Sequence, residues 1–510
     1  MTRNIFCLFF ISVSFVLHAQ VIQNGRMEIP IVSNVESYAA ISLDTAGIAL
    51  YRSFIGNKEN VVEIVRVDTS LHQVWKGFLP VPKGLSIVST KTADHRIFFF
   101  FESKMPASKR FFHVIVVQVN NGAYTAYPIK NIITFNATDF VASKDVLLIG
   151  GYFNFRPMVL HYSTKDQRSR LLPGFLNEPG EITQIKTYED GNIDVIVSAK
   201  NSARKKCLWI RHFDNAGDLI KTVVLEPEEN KNLIFGRAAK MDNDNQVIAG
   251  VYGKSSEYSR GIFVAEVSPF GEYVIRYYNF ADLQNFFHYM KANREKRIKE
   301  RIERRRVKGK KIKFNYRFLV HELIPYGNQF VMLGEAFYPT YSNRFNLYNT
   351  QLPSNPSPWS YGISNRVAYS SSSPYRSDVV FDGFQYTHAI VIGFDAQAKL
   401  SWDNSFEING LKSYQLEQFV KILPEKDKIA LIYLYANAIR SKVINNNQVL
   451  EGTMQDPIRT ADQKSLNSSV QSSKLEYWYA NHLFVYGVQD IVDNQEVSHK
   501  VFFINKLSPP

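Results

Sequence analysis

Cysteine is nearly absent from this chain of 510 residues, which has two, Cys7 and Cys207. Cys7 lies in the apolar amino-terminal stretch without the small residues of a lipid-attachment context, and removal of that stretch as an export signal leaves Cys207 alone, so an intrachain disulfide is excluded and stability must come from packing. Cys207 sits in the strand-like run KKCLWIRHF and reads as an inert, partly buried thiol. No glycine loop of the phosphate-cradling kind occurs. His321-Glu322 cannot begin a zinc-binding helix, because Pro325 occupies the place of the second histidine. The acidic turn at Asp242 and Asp244 lacks the full set of oxygen ligands of a calcium loop. No metal and no cofactor is therefore called for. Helical periodicity is scarce outside one segment.

The amino terminus reads as an export signal over residues 1–19: Arg3, the apolar stretch Ile5 to Leu17, and Ala19 before Gln20. That stretch is short for a membrane span, and Leu17 stands where a small residue is usual before the cut. The expected destination is the periplasm, the outer membrane or the exterior.

What the chain has in abundance is a repeat. Eight apolar runs, each entered through a tight polar turn, begin at Ile48, Ile97, Val146, Ile193, Val247, Phe330, Ile429 and Leu483. Their spacings are 49, 49, 47, 54, 83, 99 and 54 residues. A strand-built period near fifty predicts an all-β chain, a β-propeller of about eight, alternatively seven, four-stranded blades with one inserted basic helix. Residues 20–510 then form one domain. The last unit runs through Leu475 to Tyr479, Leu483 to Asp490 and Val501 to Leu507 and is one strand short; Met27 to Val32 supplies the missing strand and closes the ring. A turn residue precedes an aromatic by seven at Asp68 and Trp75, Asn120 and Tyr127, and Asp395 and Trp402, a packing motif. By period and strand order, residues 27 to 507 resemble secreted bacterial β-propeller repeat proteins. The glycine-histidine and tryptophan-aspartate pairs of WD repeats are missing apart from Trp402-Asp403, so no family function transfers residue by residue.

Two spacings are stretched, by insertions at 283–315 and 338–386. In an up-and-down blade the loop into a first strand and the loop from second to third strand leave at the same end, so both insertions are expected on one face beside the sixth blade. The first carries thirteen Lys and Arg against three Glu between Lys291 and Lys313, a net charge of +10 in a chain of +13. Glu295 with Lys299 and Glu300 with Arg304 support a helix, Gly309 stops it, and the segment is expected to be dispensable for folding. The second is rich in Tyr, Ser, Asn and Pro, suited to sugars or protein surfaces.

These features point to an exported binding or scaffold propeller rather than an enzyme. Its ligand residues would be Arg294, Arg297, Arg301, Arg304, Arg305, Tyr338, Tyr341, Trp359, Tyr361 and Tyr386. The expected partner is an acidic polymer, a glycan or an envelope protein, with peripheral attachment to an anionic membrane surface as a further mode and nucleic acid excluded by export. The alternative is a glycan-active hydrolase or lyase using the carboxylates Glu335 and Asp382 on the same face. Histidines in strand-like runs, His161, His212 and His388, read as packed or surface imidazoles.

Overall fold

The computed structural model describes residues 21–508 except 56–58, 104–110, 131–132, 176–178, 241–244, 255–257, 311, 344–378, 396, 461–469 and 493–497. The expected export signal and the Asp242 and Asp244 turn lie outside the described residues. Every sheet is antiparallel, and each is built from consecutive strands except the last. Blade 1 comprises Ala39–Ser42, Ile48–Ile55, Asn60–Val67 and Gln73–Val81. Blades 2 to 7 repeat this order, and blade 8 pairs Val470–Tyr477, Leu483–Val492 and Ser498–Ser508 with the amino-terminal strand Ile22–Pro30. The eight apolar runs are the second strands of the eight blades.

Burial explains why those runs announced themselves. A second strand is covered on both faces by neighbouring blades, so it is apolar throughout instead of alternating; Gln246–Gly253 is buried along its whole length. Fourth strands lie at the perimeter and stay half exposed, as in Gln73–Val81. Eight apolar clusters fill the spaces between blades, one for each consecutive pair. An open row of eight blades would have seven such spaces. The eighth, joining Phe484, Phe502 and Ile504 of blade 8 to Ile48, Leu50 and Val65 of blade 1, closes the ring and decides for eight blades over seven.

The closing strand is longer than expected and begins earlier, at Ile22 rather than Met27, pairing from Ile22 opposite Ser508 to Pro30 opposite Val501 with one shift of register between Gln23 and Gly25. Arg26 fastens it. Its guanidinium donates to Asn505 Oδ1, Gln489 Oε1 and the Arg459 carbonyl, each at 2.8 Å, pairs with Glu28, and lies 4.7 Å from the Phe503 ring centroid. Across the same seam, Trp478 Nε1 donates to the Gly47 carbonyl at 3.0 Å. Gly47 has φ of 109°, and a Cβ there would stand 1.8 Å from the Val67 carbonyl oxygen, so only glycine fits.

First strands converge on the axis. Lys91 of blade 2 feels Glu476 of blade 8 as well as Asp139 of blade 3, and Asp139 feels Arg237 of blade 5. Burial holds the Asp139 carboxyl above its ordinary range although both cations oppose this. The aromatic of the seven-residue motif packs between blades: Trp75 donates to the Val119 carbonyl at 2.8 Å, and Asp68 caps its own turn through the backbone N–H groups of Ser70 and His72.

Because the ring depends on its seam, Arg26→Ala should cost about 2–4 kcal/mol by leaving Glu28, Gln489 and Asn505 without their shared partner. Denaturant titration checks this, and an unchanged midpoint would show that the seam does not limit stability.

Candidate functional site

The two insertions leave blade 6 at one end. Arg317, the first residue of the blade's first strand (Arg317–Tyr326), stands opposite Phe337, where the second strand (Gln329–Asn343) runs past the blade edge. The shared face expected from the topology is thus present.

The first insertion follows the short helix Phe280–Asp282, capped by reciprocal hydrogen bonds between Asn279 and its third residue. The chain then enters the wedge between blades 5 and 6. Phe280, Phe286 and Phe287 are fully buried there. Asp403, on the fourth strand of blade 6 (Leu400–Glu407), accepts from the backbone N–H groups of Gln284 and Asn285 at 2.8 and 2.7 Å, while Asn285 Nδ2 donates to its carbonyl at 2.6 Å. The stray tryptophan-aspartate pair is therefore a structural anchor, with Trp402 Nε1 donating to Gln329 Oε1 at 2.9 Å.

The helix α1 spans Ala292–Val307. Glu295 pairs with Lys299 at 2.6 Å as expected from their spacing, but Arg304 reaches back to the Glu300 carbonyl rather than its carboxylate. The chain turns off at Gly309, φ 59°, with Lys310 N–H donating to the Arg305 carbonyl. Ile302 is buried and Ile298 packs against the same wedge core, so α1 contributes to that core. Arg294, Arg297, Arg301 and Arg304 are exposed, whereas Arg305 is half buried. Steps of three, four and three residues set those four on one stripe, about 15 Å long at the rise of an α-helix. Glu295 faces inward and Glu303 falls on a different stripe, while Glu300, one turn before Arg304, borders the arginines.

The second insertion is a two-stranded ribbon at its base. The second strand of blade 6 and the third, Val379–Phe394, continue their pairing outward through Tyr338 opposite Gln385 and Tyr341 opposite Phe381. Tyr338 and Tyr341 are exposed, at 49% and 37%. Trp359 and Tyr361 lie outside the described residues. Tyr386 is buried, its hydroxyl donating to the Glu417 carbonyl and accepting from the Glu417 N–H, and so it packs between blades 6 and 7 rather than facing a ligand.

The two carboxylates are not arranged about a common opening. Glu335 has no exposed surface; it accepts from the N–H groups of Val420 and Phe419 at 2.7 and 3.2 Å and lies 2.9 Å from His321 Nε2. It ties blade 6 to blade 7. Asp382 remains partly exposed, held by Lys412 and by the Tyr414 hydroxyl at 3.2 Å.

His388 was passed over as a packed imidazole, which it is, yet it joins the two insertions. It is fully buried, stacked on Tyr289 of the first insertion with ring centroids 3.8 Å apart, two residues from Tyr386 at the base of the second. Burial lowers its pKa to about 3. Among the described residues, no helix is long and apolar enough to cross a membrane.

No family model matches the chain, and no curated protein matches it in sequence. Similar solved structures include polysaccharide lyase Uly1, at 8% identity over 95% of this chain and 99% of that one, TM-score 0.41. The β-propeller domain of the Trilobed protease from Pyrococcus furiosus is similar at 9% identity over 82% and 96%, TM-score 0.36, and the Dos1 propeller at 10% over 80% and 88%, TM-score 0.36. The chain itself is an eight-bladed β-propeller.

Two outcomes are expected. His388 binds fewer protons folded than unfolded between pH 6.5 and about 3, so stability is full above pH 6.5 and declines as the pH falls through that window. Urea midpoints across the window should drop less steeply in His388→Phe, and equal slopes would remove His388 as the cause. Glu335→Gln should lower stability by about 1–3 kcal/mol, since an amide cannot accept from the backbone with both of its atoms; an unchanged thermal midpoint would contradict the inter-blade role.

Proposed function

We propose that this protein is a binding or scaffold propeller that recognises an anionic polymer, such as an acidic glycan, through the insertion face of blade 6. The observation that carries the reading is the exposed stripe of Arg294, Arg297, Arg301 and Arg304 on a helix rigidly seated in the blade wedge. A row of like charges on a mobile loop would lose much of its attraction to the entropy of ordering it; a seated helix has already met that cost. Guanidinium groups suit sulfate and carboxylate through paired hydrogen bonds. Exposed Tyr338 and Tyr341 on the adjoining ribbon offer flat apolar surface on which sugar rings stack.

The amino-terminal Arg3, Ile5 to Leu17 and Ala19 support export, to the periplasm, the outer membrane or the exterior. Envelope acidic polysaccharide or an acidic envelope protein is then the partner within reach. A hydrolase or lyase acting through Glu335 has no support, because that carboxylate is enclosed between blades.

Replacing Arg294, Arg297, Arg301 and Arg304 together by Gln leaves the buried Ile302 and the partly buried Ile298 in place. The variant should elute from immobilised heparin at lower salt, with the slope of log affinity against log salt reduced by roughly two to four, up to one counterion per charge removed. Retention equal to that of the wild type would overturn the assignment.

A further inference from the structure

A cation taken out of water needs a counter-charge or acceptors to replace the water it loses. Three lysine or arginine side chains are buried among the described residues: Lys206, Lys421 and Arg317. Lys206 pairs with Glu181 at 3.1 Å and Lys421 with Glu476 at 2.9 Å. Arg317 is only 9% exposed, yet among the described residues it has neither an ion pair nor a hydrogen bond.

Backbone pairing puts it there. Just before the first strand of blade 6, Tyr316 exchanges both backbone hydrogen bonds with Ser259, at 2.8 and 3.0 Å, where the third strand of blade 5 (Ser259–Val267) begins. An antiparallel bridge of this kind sets the next residues, Arg317 and Tyr258, across from each other. The guanidinium carbon accordingly lies 4.8 Å from the Tyr258 ring centroid. The ring attracts the charge but supplies none of the oxygen acceptors that the N–H groups have lost. Nε is enclosed without an acceptor, whereas the two terminal nitrogens are not enclosed. The open part of the guanidinium is therefore its end.

Position adds to this. Arg317 opens its strand at the end of blade 6 from which both insertions leave, and Tyr258 beside it is 38% exposed. The end of a guanidinium meets two oxygens of one carboxylate or sulfate through parallel hydrogen bonds. A row of exposed arginines attracts a polyanion without fixing its register; a single enclosed fork takes one group and holds it.

We infer that Arg317 is the receptor for a single oxyanion, the carboxylate or sulfate of an acidic sugar, with Tyr258 backing the guanidinium. The inference rests on the reading of this face as a surface for acidic glycan, and it adds the residue that fixes one unit of that glycan.

Glucuronate and glucose 6-sulfate, with glucose as the uncharged control, test it without involving a polymer. Calorimetric titration should show saturable binding of at least one of the two acids, at least about tenfold tighter than glucose, and the acid that binds names the oxyanion. Arg317→Met should abolish that binding, while its thermal midpoint without sugar equals or exceeds that of the wild type, because an apolar side chain relieves an unpaired buried charge. Arg317→Lys, which keeps the charge but not the fork, should weaken binding about tenfold. The variant lacking the four helix arginines should bind the acid as the wild type does, so a failure of the helix on heparin would leave this result standing. Absence of saturable binding of both acids, equal affinity for glucose, or full affinity in either Arg317 variant would overturn the site. Loss of binding in the helix variant would place the receptor on the helix and overturn it as well.

Discussion

Each blade of this protein is a sheet with two apolar faces and no means of covering either one. Second and third strands such as Val146–Phe153 and Arg156–Ser163 are buried from both sides, and the cover is always the neighbouring blade. Mutual burial of this kind has no natural end. A row of blades leaves two bare faces, whereas a ring leaves none, and so the contact of Phe502 and Ile504 with Ile48 and Leu50 satisfies the blades on either side of it at once. Among the described residues no disulfide substitutes for that contact, the one described thiol, Cys207, being free and buried in blade 4. Arg26 and the strand that carries it act where the ring would otherwise part.

The same constraint decides where specific chemistry can sit. Between blades the second and third strands are given over to packing, and polar groups placed there are drawn into structural work, as Glu335 is by the backbone of Phe419 and Val420. Groups free to meet a ligand are found at strand ends. On one face these ends are extended into the helix and the ribbon of blade 6; on the other, Asp194 gathers His212, Tyr188 and Gln246 where blades 4 and 5 meet. In the wedge between blades 5 and 6 the first insertion has become part of the core through Phe286, Phe287 and Ile302, and between blades 6 and 7 the base of the second has done so through Phe384 and Tyr386.

Much of this was legible in the residues because burial on both faces writes itself as an unbroken apolar run. The second strands, the missing strand of the last unit, the two insertions and their common end all followed from spacing and strand count. Side-chain direction did not. Tyr338 and Tyr386 belong to one tyrosine-rich stretch, and only the paired register, with its irregularities beside Phe337 and Pro339, turns one outward and the other inward. His212 looks like any imidazole in a strand, since its partner Asp194 is 18 positions away, and Gln246, which shares that carboxylate, is 52 positions from Asp194. First strands hid their shape for a related reason: irregularities recur at Ile87/Ser89, Ala137/Asp139, Ile182/Gln184, Leu233/Phe235 and Val320/Glu322, and nothing in the local composition marks them.

The seam also sets a clock. Ile22–Pro30 is made first and its partner, Ser498–Ser508, last, so the newborn chain must carry one sheet edge unanswered until nearly all of it has been synthesised. Seven blades can assemble in order as they emerge, each on the one before. The eighth cannot, because the sheet of Val470–Tyr477, Leu483–Val492 and Ser498–Ser508 takes its outermost strand from Ile22–Pro30.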